Sequence, residues 1–243
     1  MMVPRRIALL VVVLCLFVRP NAPAADPEID RLLKKLPAPE KLVQPDDRVV
    51  RVNDPALRDP LIKQVEAADT AKQSKRALQL ARQLAARYPA SAAANYYAGY
   101  FASGEKRYAE ASSAFRRALV IQPQFVVVHY SLGFSEWQQG HYDNAMKHLR
   151  EVTKLEPGAA AGWAMRSLCA ELVGARQESV MAARRLVNLE PGTTAAWIRL
   201  AMAEKNVGNY EAASRALNRA IAVERAAHPA GSKKKESKRV KKG

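Results

Sequence analysis

The side chains best suited to chemistry are few and scattered. Histidines stand at His129, His141, His148 and His228, and cysteines at Cys15 and Cys169. No His-Glu-x-x-His, Gly-x-Ser-x-Gly, phosphate-loop or paired-cysteine pattern occurs. The spacings therefore offer no activated water, no nucleophile elbow and no phosphate cradle. His141 and His148 lie across a turn and a helix, from which two imidazoles could reach one metal ion, although packing or surface roles are the ordinary fate of such residues. Cys169 sits among Leu168, Ala170 and Leu172, a setting for a small buried apolar group rather than a reactive thiolate. These residues point away from catalysis, and the expectation is no enzyme, no metal and no cofactor.

The elements that position the side chains follow from four prolines. Pro89, Pro123, Pro157 and Pro191 stand 34 residues apart, each closing a phrase such as Leu155-Glu156-Pro157 or Leu189-Glu190-Pro191. A fixed period of this length marks a repeat architecture. With units opening at Ala92, Val126, Ala160 and Thr194, the seventh and eighth places read Ala98-Gly99, Leu132-Gly133, Arg166-Ser167 and Leu200-Ala201. A glycine recurs at Gly140, Gly174 and Gly208, a tyrosine at Tyr108, Tyr142 and Tyr210, and a small residue at Ala111, Ala145, Ser179 and Ala213. The glycine breaks one helix, the proline stops a second, and the small residues let the two approach closely. Each unit is thus predicted to be a pair of helices. An Ala-rich composition with few β-branched runs favours helix over sheet in the same way.

This pattern resembles the tetratricopeptide repeat family. Trp163 and Trp197 match the family's early aromatic, and Tyr210-Glu211-Ala212-Ala213 matches its turn. The resemblance implies an all-α solenoid of stacked helix-turn-helix repeats wound as a right-handed superhelix. Its units fall at residues 92–125, 126–159, 160–193 and 194–225, the third being the most divergent, with a degenerate repeat at 58–91 that keeps Ala77, Ala81 and Pro89 but lacks the glycine. It also implies that the first helix of each unit lines a concave peptide-binding groove. Carried onto this chain, the lining places include Tyr96, Tyr100, Val127, Tyr130, Phe134, Trp137, Ala164, Leu168, Leu172, Ile198 and Met202, with Lys205 and Asn206 at the far end. Such a row suits an apolar or mixed peptide, because aromatic side chains contribute most where a partner fills the pocket. The clamp of Lys, Asn and Arg that some members use for acidic C-terminal peptides is absent. Trp163 and Trp197 occupy packing places and are expected in the core.

The ends differ from the middle. Residues 1–25 carry Arg5 and Arg6, an apolar run over 7–18 and small residues at Ala22, Ala24 and Ala25, the layout of a cleaved secretory signal. An apolar run of twelve residues spans only about 18 Å as helix, short of a hydrocarbon core of about 30 Å, which disfavours a membrane anchor. Residues 26–57 hold five prolines and read as a linker with room for one short helix at 28–36. The formal charge of +16 is concentrated at the ends. Residues 226–243 carry Lys233, Lys234, Lys235, Lys238, Arg239, Lys241 and Lys242 against Glu236 alone, a like-charged run expected to be disordered and solvated. For an exported chain this tail suits an anionic envelope polymer or lipid head groups; for a cytosolic one it suits nucleic acid. Removal of the signal leaves one cysteine, which excludes an internal disulfide. The combined expectation is an exported, periplasmic or extracellular scaffold that binds another protein, with anionic-polymer binding through the tail as the second reading.

Overall fold

The computed structural model describes residues 54–227. The expected signal, the linker up to residue 53 and the basic tail from residue 228 lie outside the described residues. A short 3-10 helix, Pro55–Arg58, is followed by ten α-helices and no strand among the described residues. They are α1 (Pro60–Thr70), α2 (Ser74–Arg87), α3 (Ala92–Gly104), α4 (Tyr108–Ile121), α5 (Val126–Gln138), α6 (Tyr142–Leu155), α7 (Ala160–Leu172), α8 (Arg176–Leu189), α9 (Thr194–Asn206) and α10 (Tyr210–Ala227). The junction between the linker at 26–57 and the degenerate repeat at 58–91 is built on two aspartates. Asp54 caps the 3-10 helix through Ala56 N, and Asp59 caps α1 through Leu61 N at 2.8 Å. Both aspartates also reach forward: Asp59 accepts from Arg87 at 2.8 Å and from the Tyr88 hydroxyl at 2.9 Å, and Asp54 from Ser91 at 2.6 Å. Those bonds tie the entry of the chain to the first repeats.

Each helix packs chiefly on its neighbours in sequence, pairing α3 with α4, α5 with α6, α7 with α8 and α9 with α10, while successive pairs stack. The core therefore runs along the solenoid rather than around a centre. Phe115, Phe125, Leu132, Leu149, Met165 and Ile198 are fully buried along it. The Leu-Gly place explains itself at Gly99: a Cβ there would come within 2.6 Å of the Phe115 ring.

Three further side-chain or backbone features repeat with the prolines. The first helix of every pair ends on a residue in the left-handed region: Lys72 (φ 55°), Lys106 (φ 60°), Gly140 (φ 82°), Gly174 (φ 76°) and Gly208 (φ 82°). The following amide bonds back to the last helical turn in every case, as Arg107 N does to Ala102 O at 2.8 Å and His141 N to Glu136 O at 2.9 Å, the glycine-favouring helix stop. The degenerate repeat keeps this turn although its sequence has no glycine there.

The second feature satisfies the proline carbonyls. Asn95 donates to Pro89 O at 3.0 Å, Trp163 to Pro157 O at 2.9 Å and Trp197 to Pro191 O at 2.8 Å. His129 Nε2 lies 2.8 Å from Pro123 O, and because a carbonyl only accepts, this nitrogen carries the proton. Residues as different as Asn, His and Trp share the fourth place because each presents an N–H at the right reach. Trp163 is buried as expected, whereas Trp197 is only partly so.

The third is an arginine ladder. Arg82, Arg116, Arg150 and Arg184 stand 34 residues apart on the second helices, and each pairs with a carboxylate of the next repeat. Arg82 meets Glu110 at 2.7 Å and Arg150 meets Glu178 at 2.6 Å, near the start of the next second helix. Arg116 meets Glu136, and Arg184 meets Glu204 at 2.6 Å, near the end of the next first helix. Where the eleventh place holds Glu136 or Glu204, the nineteenth is Asn144 or Ala212; where the nineteenth holds Glu110 or Glu178, the eleventh is Ala102 or Ala170. The Arg82 and Arg150 side chains hold Glu110 and Glu178 below the usual carboxylate range. The divergent third unit adds Arg166, which bonds Glu178 at 2.7 Å and Thr153 Oγ1 at 2.7 Å and lies over the Trp163 ring.

Candidate functional site

The first helices of successive pairs touch one another, α3 with α5, α5 with α7 and α7 with α9, and contacts between successive second helices are sparser. The row of first helices is therefore the inner side of the curve, the side on which the lining residues were sought. The residues sort into two groups. Tyr96, Tyr130, Phe134 and Ile198 are 2, 7, 6 and 1% exposed. They form part of the core beneath the surface rather than an exposed stripe, and their truncation would open cavities. Tyr100, Val127, Trp137, Ala164, Leu168 and Met202 are partly exposed and Leu172 exposed. Lys205 and Asn206 are also partly exposed.

Two local arrangements stand on or beside this row. At its N-terminal half a cleft of about 300 Å³ opens between α1, α3 and α5. Rings of Tyr100, Tyr108 and Phe134 line it together with Phe101 and Phe115, and Ser131, Asp69 and Lys106 supply polar groups. Helix α5 beneath it carries Tyr130 Oη, Ser131 Oγ, Ser135 Oγ and Trp137 Nε1, all buried without a hydrogen-bond partner among the described residues. Tyr130 has its pKa pushed up by burial alone, so its phenol is neutral. At the C-terminal half, Arg199 Nη2 meets Glu171 Oε2 at 2.7 Å, Asn206 Nδ2 donates to the other carboxylate oxygen, and Arg199 Nη2 lies 3.5 Å from the Met202 sulfur. Burial lowers the Arg199 pKa, but a guanidinium begins so high that it keeps its charge. Glu171 and Arg199 were not among the residues the sequence pointed to, since in sequence they look like ordinary charged positions on a helix.

His141 and His148, one helix apart in sequence, turn to different partners. His141 turns to Glu136, its Nδ1 2.9 Å from Oε2, and His148 pairs with His129, Nδ1 to Nδ1 at 3.1 Å. The His141–His148 metal pair is therefore not formed. The His129 proton on Nε2 leaves its Nδ1 to accept, so His148 donates from Nδ1. Burial, helped by His129, lowers the His148 pKa to about 4, so the His148 ring is uncharged near neutrality. No group of three or more metal-ligating side chains lies together among the described residues. Cys169 is buried, donates its S–H to Tyr142 O at 3.1 Å, and has its pKa pushed up to about 12 by burial. It is a packing residue with no thiolate at neutral pH.

Comparison with known proteins agrees with this architecture. Residues 62–124, and separately 126–158 and 194–226, match tetratricopeptide repeat families. These matches together span more than half of the chain, which belongs to the tetratricopeptide repeat proteins as an α-solenoid of stacked helical repeats. Between these matches the third unit is left unmatched, where Arg166 and Arg176 replace the usual leucine and tyrosine. Among solved structures, MamA 41-end from Desulfovibrio magneticus RS-1 superposes with a TM-score of 0.65 at 16% identity, covering 68% of this chain and 94% of that one. YrrB, a tetratricopeptide repeat protein with an unusual peptide-binding site, gives 0.62 at 19% identity over 84% of this chain and 99% of that one. At these identities the likeness is one of fold. No curated protein sequence matches the chain.

Proposed function

We propose that this protein is a non-catalytic scaffold that holds an apolar or mixed peptide segment of a partner protein against the inner face of its first helices. The observation that carries the reading is the row of partly exposed Tyr100, Trp137, Leu168 and Met202 with exposed Leu172 along that face. Large apolar and aromatic groups left in contact with water there gain most when a partner covers them. The repeat family and the peptide-binding site named for YrrB support the same kind of role. The partner is expected in the cell envelope, on the strength of the signal-like residues 1–25.

The experiment is partner capture from an envelope extract by the wild-type chain and by Leu172→Glu with Met202→Glu, both at solvent-accessible positions of the groove. Loss of a specific partner from the folded double variant, judged by circular dichroism, supports the reading; undiminished capture overturns it. Fractionation of cells expressing the chain with and without residues 1–25 tests the location. A second reading, binding of an anionic polymer through the tail, is favoured by the seven basic residues against Glu236. It requires binding that falls steeply with salt and disappears when 232–243 are deleted.

A further inference from the structure

The cleft at the N-terminal half of the groove has a more specific chemistry than the rest of the face. Its volume of about 300 Å³ is at the lower end of the about 300–1,000 Å³ that small-molecule sites occupy, the scale of one large side chain with a little solvent. The walls are aromatic: Tyr100, Phe101, Tyr108 and Phe134, with the buried Phe115 behind them. Within this lining Ser131 is 5% exposed and its hydroxyl has no partner. A buried hydroxyl without a bond is unfavourable, and a ligand atom that bonds it recovers that loss. The charges in the lining are Asp69 and Lys106, which offset each other, so nothing selects a strongly charged group.

We infer that this cleft receives the side chain of a tyrosine from the bound segment, its ring against the aromatic walls and its hydroxyl on Ser131. This rests on the scaffold reading for the source of the tyrosine, but the recognition itself belongs to the cleft. A phenol matches each observation: an aromatic body for offset or edge contacts with the rings, one polar tip that both donates and accepts, and no net charge. Phenylalanine would leave the serine unbonded. A lysine head would find the aromatic faces but also Lys106.

The test uses the full chain, isotope-labelled, titrated with N-acetyl-L-tyrosinamide, N-acetyl-L-phenylalaninamide and N-acetyl-L-lysinamide while amide signals of residues 100–108 and 131–134 are followed. The tyrosine amide should bind about fivefold more tightly than the phenylalanine amide, the worth of one ordinary hydrogen bond. Ser131→Ala should remove that preference while leaving phenylalanine amide binding unchanged. Ser103 also lines the cleft, and Ser103→Trp, which places an indole there, should abolish binding of both in a chain whose helix content is unaltered. Equal affinity for the two aromatic amides in the wild type, tightest binding of the lysine amide, or no response in these signals overturns the inference. The amides need no partner protein, so their failure leaves the capture experiment at Leu172 and Met202 standing, and failure of that capture leaves the amide result standing.

Discussion

Asn95, His129, Trp163 and Trp197 have one property in common, an N–H six residues beyond a proline whose carbonyl needs a donor. At His129 this fixes the proton on Nε2 and makes His148 the donor between the two rings. Protonating His148 would place a cation beside His129, Arg116 and Lys147, with Glu136 alone favouring it. The folded pKa of about 4 lies below the 6.5 of a free imidazole, so the unfolded chain takes up a proton first as pH falls. The stability from this group is complete above pH 6.5 and is lost progressively down to pH 4, about 3 kcal/mol at most. Urea melts should show this loss by pH 5, and His148→Gln, which keeps a donor toward His129, should flatten it. The depressed carboxylates Glu110 and Glu178 act lower, as pH falls below about 4.5. Lys106 is a second residue-scale case. Its φ of 60° is ordinary for glycine and unfavourable for a side chain, so Lys106→Gly should stabilise the chain by about 0.5–1 kcal/mol in the same melts.

Between helices the arginine ladder decides register, and the alternation of its acids allows a direct test. Glu136→Ala should destabilise by about 1–3 kcal/mol, since it removes the partner of Arg116 and of His141. Adding Asn144→Glu moves the acid to the place used by Glu110 and Glu178, and should recover a measurable part of that loss in a double-mutant cycle. No recovery would mean the nineteenth place of the second unit is out of Arg116's reach. At this scale the helix pairs were legible in the sequence because Gly and Pro act locally, and 34-residue spacing repeats their effect. The left-handed turns at Lys72 and Lys106 were not, because lysine carries no turn signal and the neighbouring repeats impose the geometry. The groove was half legible for a related reason. Tyr130 and Phe134 are apolar in the same pattern as Trp137 and Leu168, and only the depth to which stacking buries them distinguishes core from surface. Ser131 and Glu171 carried no sequence signal, since their significance depends on neighbours from other repeats.

As a whole the protein is a line of pairs, each touching mainly the one before and the one after, so its stability is a sum of units and junctions. Removing residues 126–159 should therefore yield a shorter helical chain that still unfolds in one transition, with a smaller denaturant slope in proportion to the surface it no longer buries. The ladder bears on this in another way. Because every described second helix but that of Tyr210–Ala227 offers an arginine at one fixed place, and each unit from residue 92 on supplies an acid at either of two, the three units of 92–193 can follow one another in any order: after the excision Arg116 would meet Glu178 as Arg150 now does. The last unit has Asn218 where the arginine would fall. The junctions thus form a common coupling among the units of 92–193, which permits these units to be duplicated or lost during descent without stranding a charge, and lets the length of the inner face change while each joint stays closed.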